Sequence, residues 1–174
     1  MISFKKVTEN DISMIVSWIK QPHVLKWWYS AQNKTEQEVY LKYLNRLEDS
    51  SIQMYISYYN DIPIGYLQAY YVSDEMKHLY TINNGVGIDL FLGNIDFLGI
   101  GLGKKMLRDF ISNIIFKEFE TKYICIDPVL KNKKAIHVYE SVQFKHVKTR
   151  VDEHSKELTY YMLLCGKDFF DFFS

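Results

Sequence analysis

Three alternating glycines form the part of the sequence best suited to chemistry. Gly99, Gly101 and Gly103 stand between an apolar segment, residues 85–92, and an amphipathic segment that begins at Leu102. Because glycine tolerates positive φ and lets a ligand come close to the backbone, such a turn can present bare N–H groups at a helix N-terminus. Anions bind there, so the turn predicts a ligand that carries pyrophosphate. The alternative is a strand-to-helix turn without a ligand.

Asp89 is the second residue whose type suggests chemistry, because it interrupts the apolar segment 85–92. A carboxylate in such a segment costs free energy unless it is paired or serves a function. One interpretation pairs Asp89 with a nearby lysine or a backbone amide, and the other gives it a role in catalysis.

A second motif lies downstream, and the two motifs together carry a family resemblance. They resemble the GNAT superfamily of acetyl-CoA-dependent N-acetyltransferases, whose motifs are Q/R-x-x-G-x-G/A and N-x-x-A-x-x-x-Y-x-x-x-G-F. Gly101 and Gly103 match the first motif, although Leu98 holds the place of its Gln or Arg. Gln143 replaces the final glycine of the second motif, which we interpret as a local packing change. The residues that match the second motif are Asn132, Ala135, Tyr139 and Phe144.

Within that superfamily, nearly the whole chain is similar to the aminoglycoside 6′-N-acetyltransferases. Leu90 departs from their pattern, since these enzymes usually have Gln after the aspartate, and this affects the identity of the acceptor. The matching residues are Trp18, His23, Val24, Trp27, Trp28, residues 63–66, Gln68, Tyr70, Asp74, Glu75, residues 87–89, Asp127 and Pro128.

The resemblance implies that acetyl-CoA binds with its pyrophosphate on the amides of residues 99–104. The strand that holds Asp89 is expected to diverge from the strand ending at Asp127, which leaves edge amides for the pantetheine arm. Asn132 is also expected to cap its helix. The implied cofactor-binding residues are Leu90, Phe91, Leu92, Leu98, Gly99, Ile100, Gly101, Leu102, Gly103, Lys104, Asp127, Asn132, Ala135 and Tyr139.

The resemblance also implies the catalytic pair Asp89 and Tyr139. An ammonium cannot attack a thioester, so Asp89 would hold the acceptor amine and take its proton, directly or through water. Tyr139 would protonate the departing thiolate, or it is one more packed tyrosine.

The acceptor site implied by the resemblance is acidic and aromatic. Each of these residues also has an interpretation without substrate contact. Asp74 and Glu75 could be solvated charges, and Trp28 could anchor the core. Gln68 could point away from the site, since sequence does not fix strand register. The implied substrate-binding residues are Trp28, Gln68, Asp74, Glu75 and Asp89.

The amino-acid composition limits the classes of molecule that the protein is expected to bind. Among 174 residues, Lys plus Arg and Asp plus Glu number 21 each, so the formal net charge of zero offers no general attraction to nucleic acid or to an anionic membrane. We expect a small-molecule amine substrate, no metal, and a monomer or homodimer. Cys125 and Cys165 stand in apolar segments, which favours free thiols in a reducing cytoplasm.

The pattern of elements predicts an α/β (α+β) fold. We expect one GNAT-like domain over residues 1–174, with a mixed, mostly antiparallel sheet of about seven strands, helices on both faces and a splayed central strand pair. Thr8 and Thr35 predict helix caps, and Asn60-Asp61 predicts a hairpin turn between two strands. Residues 73–84 are predicted as a loop or strand extension.

Sequence thus predicts an N-acetyltransferase that moves acetyl from acetyl-CoA to a primary amine of a polycation, an aminoglycoside 6′-amino group, by direct attack in a ternary complex. The alternatives are an acyltransferase acting on a siderophore hydroxylamine or a protein N-terminus, and a CoA-binding scaffold without turnover.

Overall fold

A seven-stranded mixed sheet forms the framework of the protein. The computed structural model describes residues 1–153 and 155–173. The strands are hydrogen-bonded in the order β1-β2-β3-β4-β5-β7-β6. Their bounds are β1 Ile2–Lys6, β2 Ile52–Tyr59, β3 Ile62–Tyr71, β4 Val86–Leu92, β5 Tyr123–Ile126, β6 Lys145–Val151 and β7 Leu158–Cys165.

Helices and short helical turns connect these strands. A π-helical segment, Ile111–Ile115, widens the helix that follows the glycine turn, and 3₁₀ turns occupy Glu9–Asp11, Tyr29–Ala31 and Ile95–Phe97. The α-helices are α1 Ile12–Ile19, α2 Pro22–Leu25, α3 Glu36–Glu48, α4 Asp74–Tyr80, α5 Leu102–Phe110, α6 Phe116–Glu118, α7 Lys133–Glu140 and α8 Gly166–Phe173.

Local sequence chemistry explains several boundaries. Thr35 accepts a hydrogen bond from the Glu38 amide, and the Glu38 carboxylate accepts one from the Thr35 amide, which confirms the predicted capping box at the start of α3. Asn60 and Asp61 have φ of 48° and 64°, the left-handed pair that closes a two-residue hairpin between β2 and β3.

The segment after β3 was wrongly predicted, because residues 74–80 form helix α4 rather than a loop or strand extension. Ser73 caps this helix by accepting a hydrogen bond from the Met76 amide. Thr81 ends it in the left-handed conformation. The short helix buries Leu79 and Tyr80, too few apolar residues to show a clear period in the sequence.

The chain forms two compact units. The first contains Met1–Gln68 and Asp89–Leu102, and its core packs α1 and α3 with residues from β2 and β3, including Ile15, Tyr43 and Tyr66. The second contains Ala69–Ile88 and the chain from Gly103 onward.

A core cluster of the second unit brings residues of α4 onto strand residues of the same unit. It includes Leu79, Tyr80, Cys125 and Tyr161. Burial and, to a lesser degree, Asp127 raise the pKa of the Cys125 thiol to about 12, so this thiol is not a nucleophile at neutral pH.

The parallel pairing of β4 with β5 is short. Val86 pairs with Ile124 and Gly87 with Cys125, whereas β5 pairs with β7 antiparallel over four residues, Tyr123 to Ile126. Strand β4 continues past its last pair with β5 to Leu92. The predicted mixed sheet of about seven strands is therefore confirmed.

A left-handed residue that is not glycine follows helix α7. Gln143 has φ of 76°, its amide donates to the Glu140 carbonyl, and the Phe144 amide donates to the Tyr139 carbonyl. These two bonds form a Schellman motif, in which glycine is the usual residue at this position. The prediction of a local packing change at Gln143 was wrong, because the family glycine is replaced at a position with a backbone requirement.

No helix within residues 1–153 and 155–173 combines the length and apolar character needed to cross a membrane.

Candidate active site

Asp89 lies in the middle of β4 and is half-buried. The Gln68 side chain on the neighbouring strand β3 donates a hydrogen bond from Nε2 to Asp89 Oδ2 over 2.7 Å. The structure gives Asp89 a neutral carboxamide donor, a partner that the sequence did not suggest. An amide N–H of this kind suits the acceptor oxygens of a carboxylate.

Gln68 is the centre of a buried polar cluster. Its side chain is 5% exposed, and its Oε1 accepts hydrogen bonds from Arg46 Nη1 at 2.9 Å and from the Tyr66 hydroxyl at 2.8 Å. Two donors at the oxygen and a carboxylate at the nitrogen fix the orientation of the amide. Strand register thus turns Gln68 toward Asp89, the point that sequence left open.

An aromatic wall packs around this cluster. The Trp28 indole N–H donates to the Tyr43 hydroxyl over 2.8 Å. The Phe91 ring lies 5.0 Å from the Trp28 ring and 5.4 Å from the Tyr66 ring, between ring centroids. Trp28 therefore anchors the core of the first unit, and its contact with a substrate stays a prediction.

The two tyrosines of the cluster are neutral at physiological pH. Burial raises the pKa of Tyr43 to about 12, although Arg46 and the Trp28 hydrogen bond act in the opposite direction. Burial also raises the pKa of Tyr66 well above its usual value, and the charge of Asp89 contributes to both shifts. Arg46 and Asp89 are thus the charged groups of this cluster.

The glycine turn has the conformation that the sequence predicted. Gly99 and Gly101 have φ of 76° and 84°, and a Cβ at either position would meet no heavy atom within 4 Å. Leu102 is buried and begins α5, while Ile100 is 65% exposed. Open space beside left-handed glycines, just before the first amides of a helix, fits the pyrophosphate of coenzyme A. Leu98, Gly103 and Lys104 flank this turn in the chain.

His23 holds the end of β4. Its Nε2 lies 3.0 Å from the carbonyl oxygen of Leu92 and donates to it, because a carbonyl oxygen can only accept. The Gly93 and Asn94 amides both donate to the Ile64 carbonyl. These bonds fix the backbone just beyond Leu90, Phe91 and Leu92, whose predicted contacts with the pantetheine arm stay predictions.

The remaining predicted cofactor residues belong to the second unit. Asn132 caps α7, as predicted, because its Oδ1 accepts a hydrogen bond from the Ala135 amide at 3.3 Å. Tyr139 on the same helix is 9% exposed, and its ring centroid lies 6.1 Å from that of Phe144. Asp127 directly follows β5 and is half-buried.

Asp74 and Glu75 also belong to the second unit, in the first turn of α4. The Asp74 side chain is 87% exposed and forms an ion pair with Lys77 at 2.8 Å. The Glu75 side chain is 76% exposed and lies 3.5 Å from Arg150. Both acids are exposed, as in the alternative of solvated charges, and their contact with a substrate stays a prediction.

Arg46, Tyr43 and Tyr66 were not predicted from sequence as site residues. Arg46 stands three residues after the buried Tyr43 on α3, and its guanidinium lies 5.2 Å from the Tyr43 ring. The sequence signal for Arg46 was a cation on the buried face of a helix. Its contact with Gln68 joins residues that are far apart in the sequence, so no local pattern indicates it.

Residues 7–151 match the family model of the acetyltransferase (GNAT) domain. The chain belongs to this family. As a GNAT member it is an acetyl-CoA-dependent N-acetyltransferase, and the predicted family, fold and enzyme class are confirmed.

Relatives with named activities are similar to this member of the family. An aminoglycoside N(6′)-acetyltransferase type 1 of Klebsiella pneumoniae is 32% identical over 83% of this chain and 74% of the relative. An N-hydroxyputrescine acetyltransferase of Acinetobacter baumannii is 25% identical over 79% of this chain and 63% of the relative. A crystal structure of the aminoglycoside acetyltransferase AAC(6′)-Ib with coenzyme A and kanamycin superimposes with a TM-score of 0.86, at 30% identity, over 100% of both chains.

Proposed function

We propose that this protein transfers acetyl from acetyl-CoA to the 6′-amino group of an aminoglycoside, by direct attack in a ternary complex. The observation that carries the proposal is a half-buried carboxylate, Asp89, oriented by the buried Gln68. The aminoglycoside acetyltransferase structure with kanamycin and coenzyme A supports the choice of acceptor.

Acetyl-CoA supplies the acetyl group as an activated thioester. In our proposal, the amides after Gly99 and Gly101 hold its pyrophosphate, because aligned N–H groups and the positive helix end attract an anion without requiring cationic side chains. Binding both reactants on one protein turns a bimolecular reaction into an effectively unimolecular one, which is worth on the order of 7–11 kcal/mol.

Asp89 handles the acceptor amine. At neutral pH the amine arrives as an ammonium, which a carboxylate binds by charge and hydrogen bonding. Asp89 takes the proton, directly or through water, and the freed lone pair can then attack the acetyl carbonyl. Tyr139 protonates the departing thiolate, a role assigned by its match to the family tyrosine.

Asp74 and Glu75 attract the other ammonium groups of the polycation, and Trp28 contacts its sugar rings. The reaction takes place in the cytoplasm, where the free thiols of Cys125 and Cys165 stay reduced.

A hydroxylamine is the second candidate acceptor, favoured by the N-hydroxyputrescine acetyltransferase among the relatives. A hydroxylamine is largely uncharged at neutral pH, so it does not need a carboxylate that holds an ammonium. Asp89 beside a hydrogen-bond donor therefore favours the amine.

An acceptor screen tests the proposal. Free thiol release from acetyl-CoA is followed with kanamycin, N-hydroxyputrescine, spermidine and a short peptide, and a reaction without acceptor measures background hydrolysis. We expect the fastest release with kanamycin, and acetylated product at its 6′-amine by mass spectrometry and NMR.

The other outcomes each contradict the proposal in a recognisable way. Release with N-hydroxyputrescine alone indicates the second candidate. If none of the four acceptors causes thiol release above the background, the protein is a CoA-binding scaffold, provided that coenzyme A stabilises it by about 2.7 kcal/mol at a hundred times its Kd.

A further inference from the structure

We propose that Arg46 is a positioning residue for acetyl transfer, which keeps the Gln68 carboxamide nitrogen turned toward Asp89 before and after Asp89 takes a proton. The inference rests on the proposed function, in which Asp89 accepts the proton of the amine. Its basis is the chain of hydrogen bonds from Arg46 through Gln68 to Asp89, at 2.9 and 2.7 Å.

The need for such a residue follows from the chemistry of a carboxamide. The oxygen and the nitrogen of Gln68 have nearly the same size, so the group can bind in either of two orientations. An ionised Asp89 is an acceptor only and selects the nitrogen. A protonated Asp89 can also donate, and it would then hydrogen-bond equally well with the Gln68 oxygen.

That second orientation would oppose turnover. Once the oxygen faced Asp89, it would accept a hydrogen bond from the protonated carboxyl and stabilise the neutral form. Asp89 would then return its proton to solvent less readily. In the next cycle the Gln68 oxygen would lie against the ionised carboxylate, and both groups are hydrogen-bond acceptors.

Tyr66 alone cannot prevent the reversal, because its hydroxyl both donates and accepts, and so tolerates either end of the amide. Arg46 differs, since a guanidinium has only donors and stays charged at every relevant pH. Reversal would place the Gln68 NH₂ group against Arg46 Nη1, donor against donor. Arg46 therefore excludes the reversed amide regardless of the charge on Asp89.

Arg46 is itself held in place. Its guanidinium lies 5.2 Å from the Tyr43 ring centroid, and the Tyr43 hydroxyl accepts from the Trp28 indole. Stacking on an aromatic ring fixes the plane of the guanidinium, so the hydrogen bond to Gln68 has a defined direction.

Substitutions of Arg46 that change its charge and its ability to accept a hydrogen bond test the inference. We expect Arg46→Met to lower kcat by roughly 10- to 100-fold, the usual value of a hydrogen bond to a charged group, with a smaller change in the KM for the acceptor. Arg46→Lys keeps a donor-only cation and should recover most of the rate. Arg46→Gln can also accept, tolerates the reversed amide, and should resemble Arg46→Met. Lys42→Met, a half-buried cation one turn earlier on α3, is the matched control with near-normal kcat.

A double-mutant cycle with Gln68→Leu identifies the route. If Arg46 acts through Gln68, then Arg46→Met adds roughly less than twofold to the loss in a Gln68→Leu protein. A full additive loss there overturns the inference, as does equal activity of the Lys and Gln variants at position 46. Melting temperatures report folding, and the Lys–Gln comparison stands even if Arg46→Met does not fold. Unchanged turnover in Asp89→Asn would be a separate result that removes the base role itself.

Discussion

Asp89 in the first unit and the pair Asp74–Glu75 in the second are acids of the same predicted site, but their surroundings differ. Asp89 is half-buried and has a fixed donor in Gln68, which is itself held by Arg46 and Tyr66. Asp74 and Glu75 are exposed and form ion pairs with Lys77 and Arg150. A buried network can define the direction of a carboxylate, whereas an exposed ion pair contributes mainly charge.

The substitution with the largest expected effect is Asp89→Asn. We expect it to lower kcat by roughly 10²- to 10⁴-fold, because the amine loses its proton acceptor, while acetyl-CoA affinity stays nearly intact. Steady-state kinetics and titration calorimetry with coenzyme A measure the two quantities. Asp74→Asn is the matched control in the second unit. Unchanged turnover in Asp89→Asn would end the comparison, since both regions would then contribute only charge.

Alkaline titration tests the buried character of the first cluster. Because the folded pKa of Tyr43 is about 12, above its ordinary value near 10, the folded state favours the neutral phenol. The corresponding stability is complete below the unfolded pKa and is lost as the pH rises from about 10 through 12, a total of about 2–3 kcal/mol.

Tyr43→Phe should remove the contribution of Tyr43 to the alkaline loss of stability, although the contribution of Tyr66 remains. Urea unfolding at pH 9 and near pH 12 measures the difference, and Tyr71→Phe, an exposed tyrosine of the second unit, is the control. An equally steep alkaline loss in Tyr43→Phe would contradict the burial of this phenol.

A backbone change in the second unit separates stability from activity. Gln143→Gly relieves a left-handed residue with φ of 76° and should raise the free energy of unfolding by about 1 kcal/mol. Activity should stay unchanged, because the Schellman hydrogen bonds use only backbone groups. Denaturant melts give the stability, with the exposed Glu140→Gln as the control. A loss of stability would show that the Gln143 side chain makes a compensating contact.

The smallest effect is expected at the exposed acids. Glu75→Gln and Asp74→Asn should each raise the KM for a polycationic acceptor by roughly threefold or less at low salt, with kcat unchanged, since an exposed charge is worth about 0–1 kcal/mol. The difference from the unsubstituted protein should shrink as ionic strength increases. A large fall in kcat in either variant would place these acids on the same level as Asp89.

Local features were the most predictable from sequence. The Thr35 capping box and the Asn60-Asp61 turn depend on residues within three positions of each other, and both appear as expected. Helix α4 was missed because it is short and its apolar residues do not repeat clearly.

The candidate site was only partly accessible from sequence. Motifs indicated Asp89 and the glycine turn, but the direction of Gln68 depends on strand register, which no local pattern determines. The bond between Arg46 and Gln68 spans 22 positions in the chain and exists only after α3 packs on the sheet. Residue spacing in the sequence cannot predict tertiary contacts of this kind.

The neutral Gln68 amide connects Arg46 to Asp89 through two hydrogen bonds. Arg46 sets the direction of the Gln68 amide, and the amide nitrogen donates to Asp89. The same sheet register therefore places a directed hydrogen-bond donor beside the carboxylate that is proposed to take the proton.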